Sequence, residues 1–234
     1  MENTQVTRKK NKLVIVGTGE TAAIATEMAT CQTDYEICGY SVEAESMKDN
    51  RHMGLPVVPL DQIATFFPSS DFCIFVAISF VWLNQPRSRI FTLLQKLDYE
   101  FANLISPHAH IAPSATLGTN LMIYDFASVG SFCTIANNTT LCSHSVVSHS
   151  SQIGAHSYLA ASAVTGGYCR TGERCFIGLN ATLADHSEID DDSIVSATSY
   201  LPKGSHASGL YAGNPARRQD IAMADFLRLK RGIL

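Results

Sequence analysis

The chain has 234 residues, 46% apolar and 16% charged, with a formal net charge of −4. This composition excludes a disordered chain, and the mild acidity excludes a global basic field for nucleic acid or an anionic membrane. The polar N-terminus has no apolar run behind its basic residues, so it reads as cytoplasmic rather than exported. The longest apolar stretch, Phe72 to Leu83, is too short to cross a bilayer and reads as a buried strand. Seven cysteines without a Cys-x-x-Cys pair read as small core residues in a reducing compartment.

Residues 12 to about 104 alternate between strand and helix patterns. Lys12–Val16 is a short apolar strand that runs into Gly17-Thr18-Gly19-Glu20 and an alanine-rich helix from Thr21 to Ala29. A second strand is expected over Tyr35–Tyr40, a helix over Leu60–Phe66, a buried strand over Asp71–Ile78 and a helix over Arg87–Lys96. That order predicts an α/β domain with a parallel sheet.

From Ile105 the period becomes six. Ile105, Ile111, Leu117, Ile123, Val129 and every sixth residue onward to Leu201 are aliphatic, except Thr165 and Thr171. Four residues after each stands a small residue, Leu121 excepted. Six fits neither an isolated helix nor a half-buried strand. It fits a chain that turns a corner every six residues and stacks one aliphatic side chain per face, a hexapeptide β-helix. After Leu201 the pattern ends in a Gly/Pro-bearing loop, Leu210–Arg218, and an amphipathic basic helix over Ile221–Lys230. Three segments are expected: 1–104, 105–218 and 219–234.

The motifs VGTGETA at Val16–Ala22, VAIS at Val76–Ser79, ISPHAHIAPSATLG at Ile105–Gly118, SVVSHSSQIG at Ser145–Gly154, CFIGLNATL at Cys175–Leu183 and YAGNPARR at Tyr211–Arg218 carry a resemblance. The chain resembles the bacterial sugar O/N-acyltransferases with hexapeptide repeats, which act on sialic acid and on nucleotide-linked 4-amino sugars. The resemblance implies a Rossmann-like domain joined to a left-handed parallel β-helix, a homotrimer, and an acyl-coenzyme A, most simply acetyl-CoA, in the groove between subunits. It implies that Gly17, Thr18 and Gly19 approach the diphosphate of a nucleotide sugar, with Ser41, Ala77 and Ser79 around the same ligand. It also implies His149 as general base, with Ser150 in the place of the family's glutamate, and Gly167 as the oxyanion donor. Tyr158, Leu179 and Ala197 would line the CoA groove, with Gly213, Pro215 and Arg217 in its exit loop. Apart from the resemblance, Asp125 or Asp185 could reach the base from a neighbouring coil. No metal is expected.

Two other readings stay open. His108 and His144 are two coils apart and His149 follows five later, which resembles the zinc ligands of γ-class carbonic anhydrases. A non-catalytic sugar-nucleotide-binding protein on the same fold is the other.

Overall fold

The computed structural model describes residues 11–202, 208–219 and 225. The expected C-terminal helix lies outside the described residues except for Asp225, which is helical.

The N-terminal sheet begins with β1 (Lys12–Val16), followed by α1 (Glu20–Gln32), β2 (Glu36–Val42), β3 (Arg51–His52), β4 (Leu55–Pro59), α2 (Ile63–Phe66), β5 (Cys73–Val76), α3 (Gln85–Lys96) and β6 (Glu100–Phe101). Their order across the sheet is β3-β4-β2-β1-β5-β6, parallel apart from the β3–β4 pair. Strand alternation sorts the core. Leu13 and Ile15 pack with Ala22, Ala25, Met28 and Ala29 of α1. Val14 and Val16 point the other way, against Ile63 of α2 and Ile90, Phe91 and Leu94 of α3. The alanine run of α1 lets that helix approach the sheet closely. The segment expected to be a helix over Leu60–Phe66 is a 3-10 turn, Leu60–Gln62, followed by the single turn of α2. Pro59 before it and Pro68 after it leave no room for more.

Leu104–Ile105 opens a solenoid of two-residue strands with a corner between each. Three parallel sheets result, and this arrangement fits a left-handed β-helix. Face I runs from Leu104–Ile105 to Ile194–Val195, face II from His110–Ile111 to Tyr200–Leu201, and face III from Thr116–Leu117 to Glu188–Ile189. Equivalent residues are 18 apart, as in Met122↔Thr140 and Val146↔Val164. From Ile123 to Leu201 the hexad residue points inward and, apart from Thr171, is 0–3% exposed. The small residue sits just inside each corner; Ala127, Cys133, Ser145, Ser157 and Cys175 are all 0–1% exposed. A larger side chain would collide with the stacked core.

The residue before each small one, at every corner from Asn120 to Thr198, is left-handed at φ between 54° and 62°, and none is a glycine. Each such corner costs on the order of 1 kcal/mol. The twist turns the corner N–H onto the coil before: Ser150 N–H donates to the Ser131 carbonyl at 2.9 Å and His186 N–H to the Gly167 carbonyl at 2.9 Å. The hydrogen-bond ladder thus continues around the bend, which offsets the strain.

The sequence pattern placed a loop over Leu210–Arg218. The structure has an antiparallel hairpin there, Leu210–Gly213 with Ala216–Arg218, that extends face I. Its reason is pairing: Leu210 and Tyr211 stand opposite Ile194 and Val195, covering an edge that would otherwise stay unpaired.

Face I is covered by the N-terminal sheet. Phe80, in the loop after β5, packs on Tyr158 at 4.7 Å and Phe176 at 5.1 Å between ring centroids. A polar ladder runs beside it along one corner. Val76 N–H donates to Asn120 Oδ1 (2.7 Å), Asn120 Nδ2 to Asn138 Oδ1 (2.7 Å), and Asn138 Nδ2 meets His156 Nδ1 (2.8 Å). Asn84 Nδ2 closes the junction on the His156 carbonyl at 2.6 Å.

Candidate active site

The chain leaves β1 toward β2 on one side and returns to β5 on the other. The carboxyl ends of β1 and β5 therefore lie side by side where the winding reverses, the place where such sheets open a crevice. A cavity of about 620 Å³ is found there, within the size of small-ligand pockets. Gly17, Thr18, Gly19, Ala77 and Ser79 all line it. Ser41 does not: it is fully buried in β2, where its carbonyl accepts the Gly17 N–H at 2.8 Å. Glu43 and Ser46, just beyond β2, line the cleft instead.

The two glycines differ. Gly17 has φ +132°, and a Cβ there would lie 2.5 Å from the Ala77 carbonyl oxygen, so it serves the backbone. Gly19 caps α1 and faces open space. Gly17→Ala is expected to cost about 1–3 kcal/mol in denaturant unfolding. Gly19→Ala should unfold like the wild type, placing its methyl in the cleft. Equal losses in both would refute the distinction.

Arg87, in the first turn of α3, forms the floor of this cleft together with Thr140, Tyr124 and Tyr158. Its guanidinium donates to Thr140 Oγ1 at 2.6 Å and the Asn120 carbonyl at 3.4 Å, and its Nε has no partner. Burial lowers its pKa to about 10, so it remains charged at neutral pH. Burial raises the phenols of Tyr124 and Tyr158 well above their ordinary range, so both stay neutral donors. Glu20 and Glu43 also line the cleft, and Arg89 pairs with Glu43 at 2.7 Å in solvent.

Tyr158, expected in the acyl-donor groove, stands on face I, stacked on Phe176 and bonded to Cys142 Sγ at 3.0 Å, and lines the cleft. The hexad explains this, since Tyr158 is the outward residue of a face I strand, whereas Leu179 and Ala197 occupy the corner between faces I and II.

His149 projects from the corner between faces II and III, exposed to solvent. The next residue down that corner, 18 later, is Gly167. A Cβ on Gly167 would lie 2.6 Å from Cε1 and 2.7 Å from Nε2 of His149, so the imidazole rests directly on the glycine backbone. Tyr168 meets the ring edge to face at 5.2 Å, and itself stacks on His186 at 4.9 Å. Among the described residues no side chain hydrogen-bonds the imidazole nitrogens, the adjacent Ser150 included. Gly167 N–H is already donated to Asp185 Oδ1 at 2.6 Å, one coil further down. Asp125 lies on a different corner and is engaged by Ser106. Asp185 is thus the acid on the histidine's own corner.

Leu179, 53% exposed, and Ala197 are stacked neighbours on their corner. The hairpin turn with Gly213 and Pro215 adjoins them, its Gly213 N–H donating to Ser199 Oγ at 3.0 Å. Arg217 is exposed on the same hairpin. His108 and His144 stack against opposite sides of Phe126, at 5.9 and 5.2 Å, apart from the corner of His149.

No family model matches the chain, and no curated protein matches it. Solved structures do. PerB from Caulobacter crescentus, in complex with CoA and GDP-perosamine, is 24% identical over 89% of this chain and 97% of its own, with a TM-score of 0.78. The acetyltransferase domain of PglB from Neisseria gonorrhoeae FA1090, in complex with acetyl coenzyme A, is 21% identical over 90% and 100%, with a TM-score of 0.79. WeeI from Acinetobacter baumannii AYE is 16% identical over 88% and 99%, with a TM-score of 0.53. The chain has their fold. The matches cover about nine-tenths of this chain.

Arg87, Tyr124 and Thr140 escape a sequence reading because they gather from α3 and two coils. Only the 18-residue spacing of Tyr124's neighbours Met122, Thr140 and Tyr158 announces a common face.

Proposed function

We propose that the protein is an acyltransferase that moves an acyl group, most simply acetyl, from coenzyme A to the amine of a nucleotide-linked sugar. The N-terminal sheet acts as the Rossmann-like sugar-nucleotide site. The observation that carries the reading is the pairing of a polar-floored cleft at a sheet switch point with an exposed imidazole seated on glycine, in the fold of proteins solved with CoA and GDP-perosamine.

The three faces differ in a way that supports a homotrimer. Face I is covered, and face III presents Thr116, Thr134, Gln152, Arg170 and Glu188 to solvent. Face II carries Val146, Val164 and Tyr200 among the polar His110, Ser128 and Thr182, and apolar side chains concentrate at its two edges, which expose Phe126 and Leu179 on one side, Phe132 and Tyr168 on the other. Such an apolar strip favours self-association. Three prisms that meet through face II bring the His149 corner of one against the corner bearing Leu179 of the partner subunit. There the histidine also stands beside the partner's face I, and so beside its cleft.

In the reaction, the sugar amine attacks the thioester carbonyl and His149 takes the amine proton as the C–N bond forms. The tetrahedral intermediate collapses, the C–S bond breaks, and the CoA thiolate leaves and is protonated. Because Gly167 N–H is engaged by Asp185, the oxyanion requires either that Asp185 release this donor or that another N–H serve.

The test is CoA thiol release from acetyl-CoA with a panel of UDP-, dTDP- and GDP-linked amino sugars. Rapid release with one of them supports the reading. Tight acyl-CoA binding without turnover on any amine or hydroxyl would favour a binding protein, and stoichiometric zinc would favour the anhydrase-like site.

A further inference from the structure

Arg87 is a buried cation that no carboxylate opposes among the described residues. It is 2% exposed and lines the cleft, yet its hydrogen bonds go only to a threonine hydroxyl and a backbone carbonyl. The acidic groups coupled to it, Tyr158, Tyr124 and Cys142, are all held protonated and therefore uncharged by burial at neutral pH. A buried charge without a counter-ion is costly, and a bond to Thr140 and a carbonyl does not require a charge. Its Nε is left without a partner as well. The counter-ion is therefore missing from the chain itself, and the cleft is where one can enter.

Two further features give that ion a place. The 13-residue α1 and the 12-residue α3 pack on opposite faces of the sheet and both begin at the cleft, so two positive helix ends converge there. The phenols of Tyr124 and Tyr158 can donate to an anion above the guanidinium. The acids do not cancel this. Glu43 is engaged by Arg89, and Glu20 lies exposed at the first turn of α1, screened by water.

We propose that Arg87 is the anion anchor of the cleft and that the group it balances is the diphosphate of a nucleoside-diphosphate-linked acceptor. The inference rests on the reading of the cleft as the acceptor site. The planar guanidinium suits phosphoryl oxygens, and its burial excludes the competing water that weakens surface arginines.

Calorimetric titration of the full chain with uridine, thymidine and guanosine, their diphosphates, and inorganic pyrophosphate tests this, in the wild type, Arg87→Gln and Arg87→Lys. The wild type should bind one nucleoside diphosphate at least about tenfold more tightly than its nucleoside. Arg87→Gln should lose that advantage and bind the two alike, with Arg87→Lys in between. The melting temperature of each unliganded variant shows which of them folds. Undiminished diphosphate affinity in any folded variant overturns the proposal. If the wild type binds pyrophosphate through Arg87 but no nucleotide, the anchor stands and the nucleotide-sugar reading of the cleft fails. If it binds none of the three classes, both fail.

Discussion

His149→Ala is expected to slow CoA release by about 10²–10⁴-fold, with little change in stability. The imidazole is exposed and makes no hydrogen bond among the described residues, so its removal leaves no buried group unpaired. Its position depends on Gly167, which offers a bare backbone for the ring to rest on. Gly167→Ala inserts a methyl group 2.7 Å from Nε2 and should displace the ring, with a fall of about tenfold or more in kcat and a smaller change in KM. The two substitutions should not add. Once the imidazole is absent, the methyl group has nothing to displace, and the double variant should match His149→Ala alone. A further tenfold loss in the double variant would mean that Gly167 acts through its own N–H and not through the ring.

Acidification should unfold the protein through His156. This ring lies buried at the domain junction, where Asn138 Nδ2 meets Nδ1 and Phe91 packs edge-on at 5.6 Å. The ladder has a direction set at its origin. The Val76 N–H must donate, so Asn120 offers Oδ1 to it and Nδ2 to Asn138, which leaves Asn138 with Nδ2 for the histidine. Nδ1 can then only accept, and the ring is neutral. Desolvation, reinforced by the positive charges of Arg87 and Arg174, lowers its pKa to about 4 from the usual 6.5. Between these values the unfolded chain binds a proton that the folded chain refuses. The contribution is complete above about pH 6.5 and is lost as the pH falls toward 4, a total of about 3 kcal/mol. Urea midpoints from pH 7 to pH 4 measure it. His156→Asn keeps an acceptor for Asn138 and suits the left-handed corner, φ 61°, so its acid slope should flatten. An unchanged slope would place the acid sensitivity elsewhere.

The solenoid was legible because a stacked coil repeats one environment many times. Ile123, Val129 and Ile135 face the same core, and each repetition reinforces the period. The sheet domain was legible at the level of element type, since the alternation of Leu13 with Val14 belongs to a strand covered on both sides. The direction in which each outward side chain of a coil points was not. Tyr158 and Leu179 look alike in a linear pattern, and only the position within the hexad puts the first on a face I strand and the second on a corner. The partner of Gly167 N–H was hidden for the same reason, because Asp185 reaches it across a full coil. Arg87 is one of three basic residues in its helix, with Arg89 and Lys96. Its importance arises from what surrounds it, and long-range burial leaves little trace in local composition.

The unbroken eighteen-residue coil makes the molecule a ruler with discrete gradations. Neighbouring coils are separated by one strand spacing, about 4.8 Å, and each repeats the same positions at every corner. The histidine corner can approach or recede from the C-terminal hairpin only by whole coils, in steps of that length. A single inserted residue between His149 and Asp185 would shift all later side chains to the wrong face, and five more would be needed to restore even the alternation of core and corner. Eighteen would restore everything except length. Variation in the span available to an elongated ligand is therefore quantised in this architecture, while changes within a coil are confined to the chemistry of its outward side chains.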